Sequence, residues 1–145
     1  SLQPEAVVVS RSGGFQTDWR FFAQPLKRWL LSPDPGLAAG FDGWIEQGET
    51  WSASLQTLVR RKLKRIVLLG GARLAASLLA ADQVDVLQLT LTPRLLGGGY
   101  GWIPLTEGAD GLPAGLASGD AWSLEEATPL VGDELLVTYR RRRVE

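Results

Sequence analysis

Ile66-Val67-Leu68-Leu69-Gly70-Gly71-Ala72-Arg73-Leu74 is the stretch on which the fold turns. Its four leading apolar residues, two of them β-branched, read as a strand buried on both faces. Gly70-Gly71 ends that strand, and a helix rich in Ala and Leu follows at once, from Ala72 to Ala81, with Asp82 marking its end. A long strand then runs from Val84 to Thr92, with alternation in Leu87, Leu89 and Leu91. Strands alternating with helices in this way predict an α/β sheet. Lacking Cβ atoms, the two glycines let the backbone turn tightly and let a phosphate come close. The first amides of the following helix have no intrahelical partner and, with the helix dipole, favour an anion. Arg73 adds a side chain able to make a charge-assisted contact to phosphate. The same two glycines would equally serve a tight turn that binds nothing. They form neither a Walker A loop nor the spaced Gly-x-Gly-x-x-Gly fingerprint.

Towards the N-terminus, Ala6-Val7-Val8-Val9 is a β-branched run that reads as a second strand covered on both faces. Arg28-Trp29-Leu30-Leu31 is a short strand stopped by Ser32-Pro33-Asp34-Pro35-Gly36, and Gly43-Trp44-Ile45 allows another. A helix follows in which Leu55, Leu58, Val59 and Leu63 recur at helical spacing, with Ser52 or Ser54 as its cap. Towards the C-terminus, residues 100 to 120 read as a patternless Gly- and Pro-rich loop. Trp122 to Leu130 and Glu134 to Arg140 read as an antiparallel edge pair around Val131-Gly132-Asp133. Taken together, the elements predict one α/β domain over residues 1–145, with a mainly parallel sheet and antiparallel C-terminal edge strands.

Composition excludes much chemistry. Lys+Arg 15 against Asp+Glu 16 leaves a net charge of -1, which argues against a nucleic-acid binder driven by bulk electrostatics. With Cys 0 and His 0, thiolate metal sites, a cysteine nucleophile and a Ser–His triad are all impossible within the chain. Any metal would need oxygen ligands alone, and none is assigned. No apolar stretch reaches the roughly 20 residues that span a bilayer, so no membrane role and a cytoplasmic location are expected. The run Arg140-Arg141-Arg142-Arg143 is read as a solvated basic tail rather than a nucleic-acid tag.

A second glycine cluster, in Thr92-Pro93-Arg94-Leu95-Leu96-Gly97-Gly98-Gly99, also lies just after a strand. If the strands ending at Leu69 and Thr92 are parallel neighbours, both loops open on one edge of the sheet, where α/β proteins place ligands. Trp102 beside this loop is a candidate pocket wall.

The ordered pair formed by Leu69-Gly70-Gly71-Ala72-Arg73-Leu74-Ala75-Ala76-Ser77-Leu78-Leu79-Ala80-Ala81-Asp82-Gln83-Val84-Asp85 and Leu89-Thr90-Leu91-Thr92-Pro93-Arg94-Leu95-Leu96-Gly97-Gly98-Gly99 resembles the C-terminal reductase domain of the bacterial bifunctional riboflavin biosynthesis protein. Val7-Val8-Val9-Ser10-Arg11-Ser12-Gly13 and Val131 to Arg140 extend the similarity more weakly to both ends. The resemblance implies a three-layer, dihydrofolate-reductase-like α/β sandwich and an NADPH-dependent oxidoreductase. In that family, hydride goes to the ribosyl carbon of a phosphoribosylaminopyrimidine, a small-molecule substrate. By motif match, the cofactor-binding residues are Gly70, Gly71, Ala72, Arg73 and Leu74, with Gly97 and Gly98 close to the same pocket. The family's dimerising habit implies a homodimer. No catalytic acid is identified.

Two departures stand out. The family commonly carries Glu immediately before Gly-Gly, where it meets substrate; here that position is Leu69. The family's opening strand and loop, with a Ser-Leu-Asp-Gly-like signature, have no match, so the chain is expected to be N-terminally incomplete. The alternative is a non-catalytic remnant of the fold that still binds a nucleotide.

Overall fold

The computed structural model describes residues 3–97 and 114–143. They form two compact units, one reaching to Ile66 and the other starting at Val67.

The first unit is built on a parallel sheet of β1 (Ala6–Val9), β2 (Arg28–Ser32) and β3 (Gly43–Glu46), in that order. Val9 pairs with Leu31, and Leu31 with Ile45, which puts three apolar side chains in one row across the sheet. A four-residue helix α1 (Arg20–Ala23) and a 3-10 turn (Pro35–Leu37) lie in the two crossovers. Helix α2 (Trp51–Arg60) follows β3. Its Leu58, 3% exposed, meets Leu31 and Ile45 in the core, with Val7, Val9, Trp29, Trp51, Leu55 and Leu63 packed around them. Of Leu55, Leu58, Val59 and Leu63, expected at helical spacing, Leu55 and Leu58 face this core from the helix and Leu63 joins it from the turn that follows, whereas Val59 is 46% exposed.

The helix is capped by Thr50, whose hydroxyl accepts from the Ala53 N–H at 3.2 Å, and not by Ser52 or Ser54. Ser54 is buried and closes the preceding loop instead. It accepts from the Gly48 N–H (3.0 Å) and donates to the Thr50 carbonyl (3.1 Å). At the other end Lys62 adopts a left-handed conformation (φ 68°), the Lys62 N–H bonds Val59 O, and the Leu63 N–H bonds Leu58 O. This is a Schellman closure made without glycine.

The expectation that Ala6–Val9 is covered on both faces is corrected. β1 is half-buried and terminal in its sheet, and the central strand is β2, in which Leu30, Leu31 and Ser32 are at most 1% exposed. A run of valines records what residues would gain by burial; which run is central depends on which one acquires two neighbours. Arg28 opens β2 from a buried position. It donates from Nε to Phe21 O (3.1 Å), which also accepts the Gln24 N–H at the end of α1, and from Nη1 to Leu26 O (2.8 Å) beyond the helix.

The second unit contains α3 (Ala72–Ala80), β4 (Val86–Leu91), α4 (Ala114–Ala117), β5 (Trp122–Leu130) and β6 (Glu134–Arg141). The strands form an antiparallel sheet in the order β4-β6-β5. The hairpin joining β5 to β6 turns through Gly132 and Asp133, both with positive φ (87° and 60°), which matches the turn expected there. β6 is the middle strand rather than an edge, and β5 is terminal. Helix α4 interrupts the stretch expected to be a patternless loop; residues 98–113 lie outside the described residues.

The strand expected over Ile66–Leu69 is not formed. Among the described residues the run makes no ladder, and Ile66, Val67, Leu68 and Leu69 are 51%, 80%, 38% and 95% exposed. β4 pairs antiparallel with β6, so the expected parallel neighbours, with two glycine loops on one sheet edge, are not present among the described residues. Apolar content makes a strand worth burying, but a strand exists only where a neighbour offers its N–H and C=O groups, and this run has no such neighbour among them.

The arginine run is not a solvated tail either. Arg140 and Arg141 belong to β6; Arg140 pairs with Glu125, Arg141 with Asp82, and Arg143 with Asp82 and Asp85. The Arg141 hydrogen bond, followed by the charges of Arg141 and Arg143, holds the Asp82 carboxyl below its ordinary value of 3.8, against an opposing effect of burial. A depressed folded pKa means that the pair stabilises the unit above the unfolded value and loses that contribution as pH falls through the folded one. The expected result is a thermal midpoint lower for Asp82→Asn than for the wild type near neutrality. The two should converge in acid, once the pH has fallen below the lowered pKa of Asp82, as followed by circular dichroism.

Candidate functional site

The bend before α3 carries the sequence-predicted site. Gly70 has φ 132°, a backbone region that L side chains rarely adopt, and the Gly70–Gly71 peptide is cis. Gly71 is the N-cap of α3, in an extended conformation, and makes no side-chain cap hydrogen bond. Its carbonyl accepts from the Ala75 N–H at 3.0 Å, the first full turn of the helix. An added Cβ at Gly70 or at Gly71 would meet nothing within 4 Å. The bend is thus open, and no side chain caps the amides that begin the helix. Ala72 and Arg73 are exposed beside it and Leu74 is half-buried. Arg73 stands within the first turn as a cation at the positive end of the helix dipole, an arrangement that favours an anionic ligand over an empty site.

Leu69, standing where a carboxylate was expected by resemblance, is 95% exposed and has no polar side-chain atom to offer. In the second glycine cluster, Gly97 has φ 62° and is exposed, with Leu95 and Leu96 almost fully solvent-accessible before it. Gly98, Gly99 and Trp102 lie outside the described residues. Among the described residues no hydrogen bond joins the two glycine stretches.

A second set of polar groups escaped the sequence reading. Because β1, β2 and β3 are parallel, Ser10, Ser32 and Gln47 end or follow their strands at one and the same edge. They are linked by Ser10 N–H to Leu31 O (3.2 Å) and Gln47 N–H to Ser32 O (3.0 Å). Thr50, the N-cap of α2, comes three residues after Gln47. Ser32 is fully buried: its hydroxyl donates to Asp34 O (2.7 Å) and accepts from the Trp44 indole (3.0 Å). Among the described residues the buried Gln47 Oε1 has no hydrogen-bond partner. A buried acceptor without a donor costs about 1–3 kcal/mol. The carboxyl edge of a parallel sheet is where such folds receive ligands. The signal was present in the sequence, as three apolar runs each followed by a small or polar residue, but their common edge depends on strand pairing.

A family model described as the RibD C-terminal domain matches residues 2–111. The riboflavin biosynthesis protein RibD of Haemophilus influenzae is 28% identical over 149 residues, covering 98% of this chain and 38% of that protein. Among solved structures, two forms of Acinetobacter baumannii RibD superpose with TM-scores of 0.74 and 0.72 at 18% and 17% identity. They cover 96% and 97% of this chain and 38% of theirs. A pyrimidine reductase-like protein from Corynebacterium diphtheriae superposes with a TM-score of 0.67 at 19% identity, covering 97% of this chain and 62% of its own. The chain therefore spans well under half the length of the RibD proteins that it matches. The structural likeness establishes the mixed α/β, dihydrofolate-reductase-like fold, and the family model adds sequence to it over most of the chain. A family match over residues 2–111 covers well over half of the chain, and the chain belongs to the RibD C-terminal domain family.

Proposed function

We propose that the chain is the cofactor-binding part of an NADPH-dependent reductase of riboflavin biosynthesis, acting on a phosphoribosylaminopyrimidine. Family membership supports a nicotinamide cofactor in general, and the open bend at Gly70-Gly71 supports the place where its pyrophosphate is held. Residues at that bend fit the group: two positions without Cβ atoms face open space, and the amides beginning a nine-residue helix carry no capping side chain. When bound, the cofactor supplies the hydride. The chain's own part is to bind and orient. Amides at the start of α3 hold the pyrophosphate, Gly70 provides the backbone conformation that aims them, and Arg73 adds charge. Gly97 and Gly98 are assigned to the wall of the same pocket, and the Leu69 position to the substrate side. A homodimer and a cytoplasmic location belong to the same reading.

One observation favours a second reading, a nucleotide-binding remnant without turnover. Leu69 gives a sugar-phosphate substrate no carboxylate at the position where the resemblance puts one. Both readings require the dinucleotide. The deciding measurement is titration of the chain with NADPH while tryptophan fluorescence is followed, with inorganic pyrophosphate as competitor. Saturable quenching that pyrophosphate reverses is expected. No response to NADPH would overturn both readings. Binding without oxidation of NADPH by a phosphoribosylaminopyrimidine, in a gene product of full length, would favour the second.

A further inference from the structure

Helix α3 has the proposed anion site at its first end and an ion-paired turn at its last. The turn closes as a Schellman motif: Asp82 takes φ 49°, its N–H bonds Leu79 O (2.9 Å), and the Gln83 N–H bonds Leu78 O (2.9 Å). The Asp82 carboxylate then receives Arg141 through Nε (2.9 Å) and Nη2 (3.3 Å), and the Asp82 carbonyl receives Arg143 Nη1 (2.9 Å). Arg141 is not a loose surface cation. Its side chain is 12% exposed, and its Nη1 donates to Ala121 O (3.0 Å) and Arg142 O (2.8 Å). Its backbone N–H donates to Asp85 O at 2.8 Å. One guanidinium therefore ties the end of α3 to the residue before β5 and to the end of β6. A planar fork can do this; an ammonium on a flexible stem cannot.

The rest of α3 makes no comparable polar tie. Among the described residues its one hydroxyl, Ser77, bonds back to Leu74 O within the helix (2.8 Å), and its inward face is Ala76 and Leu79. Small apolar contacts resist sliding and tilting weakly, because they have no direction. The orientation of the helix, and so the aim of its first amides, is set at the far end.

We propose that Asp82 and Arg141 are a positioning pair. Their fork fixes the tilt of α3 against β6 and thereby holds the Gly71 end in the orientation that receives a dinucleotide pyrophosphate. The proposal rests on the reading of the Gly70-Gly71 bend given above.

The test uses the whole chain as wild type, Gly71→Val, Asp82→Asn, Arg141→Lys and the Asp82→Asn/Arg141→Lys double variant. Asparagine tolerates the left-handed conformation at position 82, so the turn survives while the ion pair goes. Two quantities are read: the Kd for NADPH, and hydrogen exchange of the Ala75 amide, whose bond to Gly71 O closes the first turn. Asp82→Asn and Arg141→Lys are each expected to weaken NADPH about five- to tenfold, within the usual range of coupling between linked sites. Both should quicken exchange at Ala75, and the double variant should be no worse than either single one. A merely structural ion pair would lower the thermal midpoint without moving the Kd of the folded protein. If Gly71→Val abolishes binding while Asp82→Asn leaves both Kd and Ala75 exchange unchanged, the positioning role is wrong and the bend survives. If the wild type fails to bind NADPH, or Gly71→Val binds as well as wild type, the reading of the bend fails and takes this role with it.

Discussion

Gly71→Val is expected to raise the Kd for NADPH by about a hundredfold or more while leaving the chain folded, the loss of two charge-assisted hydrogen bonds. The argument begins from space. A Cβ at Gly71 meets no heavy atom within 4 Å, and the φ there is -81°, which any L residue adopts. The Cβ of valine therefore enters open space. What it does is place two methyl groups in front of the amides that open α3, in the space a pyrophosphate would occupy. Hydrogen bonds to a charged partner contribute about 1.5–3 kcal/mol each. Losing two of them raises Kd by about two orders of magnitude or more. Calorimetric titration gives the Kd, and a thermal melt on the same sample confirms folding. A variant that melts like the wild type and binds NADPH with unchanged affinity would remove the bend from the site. Gly70 is the less informative target, because its φ of 132° makes any side chain strained whether or not a ligand binds.

Ile45→Ala should cost the first unit about 2–5 kcal/mol, the largest stability effect expected of a single truncation here. Ile45 is 0% exposed, pairs with Leu31 on the central strand, and meets Leu58 of α2 in the core. Its replacement removes most of a branched side chain from a site walled by the sheet on one side and a helix on the other. Neither can collapse easily, because Leu31 is held by the β1 and β3 ladders and Leu58 carries the closing bond of its helix, from the Leu63 N–H. Against a typical total of about 5–15 kcal/mol, the loss is a large share. Urea unfolding monitored by tryptophan fluorescence measures it. A change below about 1 kcal/mol would mean that this cluster is not what holds α2 on the sheet. Since α2 starts close to the sheet edge bearing Ser10, Ser32 and Gln47, the same truncation should also loosen that edge.

Much of the fold is legible in the amino-acid sequence. Trp122–Leu130 and Glu134–Arg141 pair as expected, because alternation and a turn that accepts positive φ are local properties. Helix α3 falls where Ala and Leu predict it, and α2 turns Leu55 and Leu58 to the core, because a helix makes its own backbone bonds and needs only one apolar stripe. The glycine bend is legible too, since the absence of a Cβ is written in the sequence.

The departures from expectation share one cause. Ile66–Leu69 reads as a better strand than Gly43–Glu46 by composition, yet the weaker sequence forms the strand and the stronger one does not. Gly43–Glu46 has β2 beside it, and Trp29 lies over the space a Cβ at Gly43 would need. The arginines at the C-terminal end read as a tail for the same reason, because Asp82 lies 59 positions away from Arg141 in the chain. What the sequence by itself determined was what a segment does alone: the helices α2 and α3, the β5–β6 hairpin, the bend that leaves backbone amides uncovered, and the absence of thiol and imidazole chemistry. Tertiary structure decided which apolar run became central, which polar residues share an edge, and which charges are neutralised. Ladders, cores and ion pairs each need a partner, and the identity of the partner is fixed by the fold rather than by either residue.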